Sequence, residues 1–311
     1  MTMVHGAGAR AALPDAVLFA SYGTSREDAR AASIARVADE LAQAFGAVPV
    51  EADDGTPGVA EDRTCAIARA DADGCKPPIF AEAYTSAKAR RVLDRRGEHV
   101  PDPAEALRTL AAAGARSVLV QPGHLVHGDA FALVEAAVHD CSRLFNRVAL
   151  GEPLLTSEDD VAYVAQAIDA AHPARLGEAL VLVAHGIERV RERGAGPISV
   201  YRLLQERLRD MGRDDVFVGC MREEPTLEGV RRELKDARAL DPARFAAVRL
   251  VPLMLTAAAH ASRDIAGSAP GSWRTALEAD GFAATAELTG LGSLPAVREL
   301  YVDHARAAWA R

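Results

Sequence analysis

The sequence predicts an α/β fold of two similar halves, each a parallel sheet flanked by helices, with a cleft between them. Three observations carry this expectation. Ala179-Leu-Val-Leu-Val-Ala184 and Val248 to Leu255 are continuous apolar runs, the pattern of strands buried on both faces of a parallel sheet. Such runs alternate with segments of helical period, the order that builds βαβ units. The second half also repeats the first: Tyr22-Gly23 corresponds to His185-Gly186, and the strand ending at Pro122 to the strand ending at Pro252. The first interval is longer, and a stretch at 51–78 accounts for most of the excess.

Taken in order, residues 1–14 read as a flexible tail. Asp15 to Ala20 is the first strand, and Ser21-Tyr-Gly-Thr-Ser25 is the turn beyond it. A helix starts near Ser25–Asp28, where Thr24 or Ser25 can cap it, with Ile34, Val37, Leu41 and Phe45 at helical spacing. Residues 51–78, rich in Asp, Gly, Ala and Pro, lack a period and read as an insert. Cys65 and Cys75 within it cannot alone complete a metal site. Regular structure resumes with strand Ile79–Ser86, a basic helix Ala87–Arg96 and an amphipathic helix Pro103–Gly114. Strand Ser117–Pro122 runs into an irregular loop holding His124 and His127 between Gly123 and Gly128. Helix Asp129–Phe145, strand Arg147–Leu150 and helix Asp160–Ala171 follow. The second half reads as strand Ala179–Ala184, helix Ile198–Met211, strand Val216–Cys220, helix Thr226–Ala239 and strand Ala247–Leu255. A late strand near Ala284–Leu288 and a helix Pro295–Ala310 close the chain. The expected division is a tail 1–14, an N-terminal half 15–155 with its insert, and a C-terminal half 156–311.

Composition narrows the function. Hydrophobic residues at 49% and charged residues at 26% of 311 suit a soluble globular protein. A net charge of −8 argues against nucleic acid as the main partner. Met1–Pro14 has no signal-length apolar core and no segment reads as a membrane span, so the reading is cytoplasmic. The four cysteines form no C-x-x-C pair and read as free thiols. The phosphate loop, the dinucleotide glycine motif, H-E-x-x-H and the G-x-S-x-G elbow are all missing. Ala184-His185-Gly186 lacks the preceding arginine of a phosphohistidine mutase.

The chemistry gathers at strand ends. His185 stands where open α/β sheets place ligands, and Gly186 permits close approach. His260 follows another buried run, and Asp264 would share a helical face with it and orient its ring. Glu223 and Glu224 lie just past a short strand at the same end of the sheet. Two imidazoles and a carboxylate suit a divalent first-row metal; both glutamates also read as ordinary helix-start residues. His124 and His127 read as structural or substrate-contacting. His5, His99, His139, His172 and His304 read as solvated.

Together these segments resemble the class II tetrapyrrole chelatases, and most of all the cobaltochelatases that act on sirohydrochlorin. The matching pieces, in family order, are Ser21-Tyr-Gly-Thr-Ser25, Ala83-Tyr-Thr-Ser86, Val120-Gln121 with His124 and Gly128-Asp129, and Leu150-Gly-Glu-Pro-Leu-Leu155. They continue with His185-Gly186, Pro252-Leu-Met-Leu255 with His260 and Asp264, Ser272-Trp273, and Leu288-Thr-Gly-Leu-Gly292. The resemblance implies flavodoxin-like halves around a tetrapyrrole cleft, with His185 as the active-site histidine and His260 as the second metal-binding one. It implies Ser21, Tyr22, Gly23, Thr24, His124, Gly186, Leu255 and Asp264 as substrate contacts. The family glutamate column falls on Arg222, with Glu223 or Glu224 beside it, and the family acid after Gly-Asp is Ala130 here. No organic cofactor or ATP is implied. The divalent metal, Co²⁺ with Fe²⁺ or Ni²⁺ as alternatives, is a substrate alongside the tetrapyrrole. A carboxylate-rich substrate calls for a basic rim, for which Arg189, Arg191 and Arg193 are candidates. A carrier that binds tetrapyrrole or metal without turnover is the rival reading, and the oligomeric state, a homo-oligomer included, stays open.

Overall fold

The computed structural model describes residues 13–49, 76–186, 200–241, 244–258 and 261–311. Two parallel sheets organise it. The first runs in the order β2-β3-β1-β4-β5, with β1 Ala16–Ser21, β2 Val48–Pro49, β3 Ile79–Tyr84, β4 Ser117–Pro122 and β5 Arg147–Leu150. The second runs β7-β6-β8-β9, with β6 Glu178–Ala184, β7 Val216–Cys220, β8 Ala247–Leu253 and β9 Ala283–Ala286. Without the short edge strand β2, the two orders are the same doubly wound pattern.

The internal repeat extends to individual hydrogen bonds. Pro122 pairs with Ala20 and Pro252 with Val183, each one residue before the end of its central strand. Beyond those ends, Thr85 N donates to Ser21 O at 2.9 Å and Met221 N to Ala184 O at 3.0 Å. Gly151 N donates to Val120 O, and Glu287 N to Leu250 O in the same place of the other half.

The apolar runs are explained by burial on both faces. Along β1, Val17 and Phe19 face one cluster while Ala16, Leu18 and Ala20 face another. Along β6, Leu180 and Leu182 face the shared cluster, and Ala179, Val181 and Val183 face a third. The outer clusters are closed by α3 (Pro103–Ala112) and α4 (Asp129–Cys141) on the first sheet. On the second sheet they are closed by α7 (Leu227–Leu240) and α8 (Trp273–Ala279). The inner cluster is common to both sheets.

That common layer is built from four helices. The first, α1, comprises Glu27–Ala29, a π turn Arg30–Ile34 and Ala35–Phe45. The others are α5 (Glu158–Ala171), α6 (Val200–Asp210) and α9 (Pro295–Ala310). Here α9, the last helix of the chain, packs on α1, β4 and β5 of the first sheet, while α5 packs on α6 of the second. The helix that follows the last strand of each sheet is therefore lent to the other sheet's layer. The two lent helices meet at a buried pair: His304 Nε2 lies 3.1 Å from Asp160 Oδ1, both about nine-tenths buried. His304 Nδ1 faces Glu152 O at 3.3 Å. Both partners only accept, so the ring that satisfies both is the imidazolium. Burial opposes its charge, but the Asp160 hydrogen bond and charge raise its pKa. His304 and His172 are both buried rather than solvated.

Local boundaries follow capping chemistry. Ser157 and Asp160 form a reciprocal capping box on α5, and Asp102 caps α3 ahead of Pro103. Ser86 caps α2 (Ala87–Asp94), and Thr226 caps α7. At α1 neither Thr24 nor Ser25 caps: Arg26 holds that position, and Thr24 Oγ1 accepts from Arg26 N at 3.1 Å instead. The short α8, capped by Ser272 and anchored by buried Trp273, has too few residues to show a period in the sequence. Most of the 51–78 insert, with Cys65 and Cys75, lies outside the described residues. Among the described residues no helix is long and apolar enough to cross a membrane.

Candidate active site

β6 delivers His185. The strand ends at Ala184, paired with Cys220 of β7 and Leu253 of β8, so the loops beyond all three strands emerge beside the imidazole. Gly186 then turns the chain with φ +82°, a conformation L side chains rarely adopt. His185 Nδ1 lies 3.4 Å from Gly186 O. A carbonyl takes only a donor, so this contact favours the Nδ1–H tautomer, with the lone pair on Nε2.

The structure separates the two glutamates. A Cβ built at Gly186 lies 3.2 Å from Glu223 Cγ and 3.3 Å from the Arg222 and Glu223 amide nitrogens. Glu223 is therefore packed against the turn that follows His185. Glu224 points elsewhere: its Oε2 accepts from Thr226 N at 3.2 Å, at the start of α7, and the residue is exposed. Beneath Glu223 lie two buried groups that sequence reasoning missed, Tyr201 and Cys220. Burial first, then Glu223 and Glu224, pushes the Cys220 thiol up to about 12. Burial, then Cys220 and Glu223, also raises the Tyr201 phenol. Both stay neutral, so the charged groups at this loop are the carboxylates and Arg222. Tyr201 is at helical spacing from Leu204 and Leu208 and reads in sequence as core.

Leu255 is 6% exposed and packs on Gly292, so its side chain belongs to the shared core. Asp264 lies in a π turn Ala261–Ile265 and is held by Arg263, Nε to Oδ1 at 2.6 Å and Nη2 to Oδ2 at 2.9 Å. His260 lies outside the described residues, as do Arg189, Arg191 and Arg193. Among the described residues no group of three or more His, Cys, Asp or Glu side chains is arranged to hold a metal ion.

The matching strand ends of the first sheet hold the other candidates. Gly23 turns the chain after β1 as Gly186 does after β6, with φ +84°. A Cβ there would sit 2.2 Å from Tyr84 Cγ. Gly46 also has positive φ but nothing within 4 Å. Gly23→Ala is accordingly expected to cost about 1–3 kcal/mol more than Gly46→Ala, read as a lower thermal midpoint. Ser21 and Thr24 are buried, and Tyr22 is half exposed. His124 is buried, with Nε2 3.2 Å from Thr85 Oγ1 and its carbonyl accepting from Tyr301 Oη at 3.2 Å. Burial pushes its pKa down to about 4, so the ring is neutral. Beside these strand ends is a cavity of about 430 Å³, bordered by Thr24, Arg30, Tyr84, Arg96 and His99 together with Glu27 and Glu98.

Comparison with known proteins decides the family. Residues 60–310 match the model described as cobalt chelatase (CbiK). This chain belongs to the CbiK cobalt chelatase family. The chelatase is 31% identical over 239 residues to sirohydrochlorin cobaltochelatase of Salmonella typhimurium, covering 76% of this chain and 86% of that one. It is 30% identical over 232 residues to sirohydrochlorin cobaltochelatase CbiKC of Nitratidesulfovibrio vulgaris, covering 73% and 77%. SirB from Bacillus subtilis with Fe³⁺ shares the fold, with a TM-score of 0.53, 14% identity and 95% of each chain covered. The chelatase thus has the two-sheet architecture of its structural neighbour, and His185 stands at the end of the second sheet's central strand.

Proposed function

We propose that this chelatase inserts Co²⁺ into sirohydrochlorin, with His185 and Glu223 as its working pair. The observation that carries this reading is the packing of Glu223 against the His185-Gly186 turn, in a chain of the CbiK family. Insertion removes two pyrrole N–H protons and strips water from the metal. An imidazole with its lone pair at Nε2 accepts a proton near neutral pH, and a neighbouring carboxylate stabilises the arriving cation. The assignment is His185 as base and metal contact, Glu223 as the acid, and His260 as the second imidazole. Glu224 serves the start of α7. The metal and tetrapyrrole are both substrates, and proton removal calls for no organic cofactor. Arg30, Arg96 and His99 border a cavity at the strand ends and are candidates for holding substrate carboxylates.

The test follows sirohydrochlorin absorbance over time with catalytic enzyme and Co²⁺, Fe²⁺ or Ni²⁺. Acceleration over the metal-only background, largest for Co²⁺, is expected. Tight binding with no acceleration for any metal makes the protein a carrier instead.

A further inference from the structure

The loop after β4 carries an imidazole that the proposed function leaves unused. His127 Nε2 lies 2.9 Å from Glu152 Oε2, and the ring packs edge-on to Phe131 with centroids 4.8 Å apart. The His127 side chain is 25% exposed. An ionised carboxylate only accepts, so Nε2 carries the hydrogen and Nδ1 keeps the lone pair. Among the described residues Nδ1 has no hydrogen-bond partner, and it is not a buried atom.

Glu152 is itself fixed. Its carbonyl accepts from Gln121 Nε2 at 2.9 Å and from His304 Nδ1 at 3.3 Å. The His127 loop is tied to the same segment by Leu154 N to His124 O at 3.0 Å and Leu155 N to Leu125 O at 2.7 Å. The ring is thus held from behind by a carboxylate on a braced backbone, with one basic nitrogen left outward. This is the arrangement that preorganises a histidine for proton transfer.

We propose that His127, oriented by Glu152, is a second proton acceptor of the chelatase, contributed by the first half as His185 is by the second. The inference rests on the insertion reading. In the step, a pyrrole N–H bond breaks, its electron pair stays on the nitrogen for the metal, and the proton forms a new N–H bond at His127 Nδ1. The resulting imidazolium faces the Glu152 carboxylate through Nε2 and, being partly exposed, passes the proton to water.

The experiment measures cobalt insertion into sirohydrochlorin by wild type, His127→Ala, His127→Gln, Glu152→Gln and His185→Ala. Sirohydrochlorin binding is followed in parallel by fluorescence titration, and folding by thermal midpoint. The expected result is a kcat about 100-fold lower for both His127 variants, with sirohydrochlorin Kd within about threefold of wild type. Free imidazole is expected to restore part of the His127→Ala rate, which a packing role would not allow. Glu152→Gln, which keeps an acceptor but loses the charge, is expected to fall by about tenfold. If His185→Ala loses activity while both His127 variants keep kcat within twofold of wild type, this inference is overturned and the insertion reading stands. A loss of kcat matched by lost sirohydrochlorin binding and unmoved by imidazole also overturns it. A wild type that does not accelerate insertion overturns both.

Discussion

His185→Ala is expected to lose at least about a hundredfold in kcat for cobalt insertion while still binding sirohydrochlorin. In the proposed assignment the substitution removes the base, whereas the cavity and strand-end loops that would hold the macrocycle are built mainly from other residues. The sharper comparison is between the glutamates. Glu223 packs against Gly186, and Glu224 accepts from Thr226 N at the start of α7. Glu223→Gln is expected to lower kcat by about ten- to a hundredfold. Glu224→Gln, which keeps an acceptor oxygen for Thr226, is expected to stay within about twofold. Steady-state rates at saturating Co²⁺ and sirohydrochlorin decide between them, and equal losses would show that the two carboxylates act as a pair.

Asp160→Ala is expected to be the most damaging single change to stability away from the site. It removes the acceptor of His304 and, with it, the bonds that Asp160 Oδ2 receives from Thr156 N, Thr156 Oγ1 and Ser157 N. Breaking one partner of a buried pair costs about 3–5 kcal/mol, roughly 10 °C in thermal midpoint for a chain of this size. The pH dependence has a definite sign. His304 has a raised pKa in the fold, so its share of the stability is present in full below about pH 6.5, the ordinary histidine value. That share drains away as pH rises through the raised value. Asp160 behaves oppositely. Although burial works against its charge, the hydrogen bonds from His304, Thr156 and Ser157 hold its pKa far below the usual carboxylate range. Its share is lost only in strong acid. Thermal midpoints of wild type and His304→Gln are expected to differ most below about pH 6.5 and to converge as pH rises through the raised value.

Much of the fold was legible because both faces of each sheet are covered. Continuous apolar runs such as Val17–Ala20 and Leu180–Ala184 could then be nothing but buried strands or buried helix, and their length and flanking glycines chose strand. The position of His185 followed from the end of its run. The discrimination between Glu223 and Glu224 did not follow, because adjacent acids before a helix look alike until the turn at Gly186 selects one. His304 was misread for a different reason. It lies on α9 with Tyr301 three residues before and Ala308 four after, both buried, so the helical spacing did place it on the inner face. A charged imidazole there makes sense only once Asp160, on the distant helix α5, is seen to meet it. The π turn at Arg30–Ile34 has no signature in composition at all.

The exchange of terminal helices has a consequence for the order in which the protein can be finished. The first sheet is synthesised early, yet the inner face bearing Phe19 and Leu119 is closed by α9, the 16-residue helix that ends just before the final residue. Until Pro295–Ala310 has emerged from the ribosome, the part of that face over β4 and β5 stays uncovered. Its completion therefore waits on α9, and deletion of that helix damages the sheet that lies farthest from it in sequence.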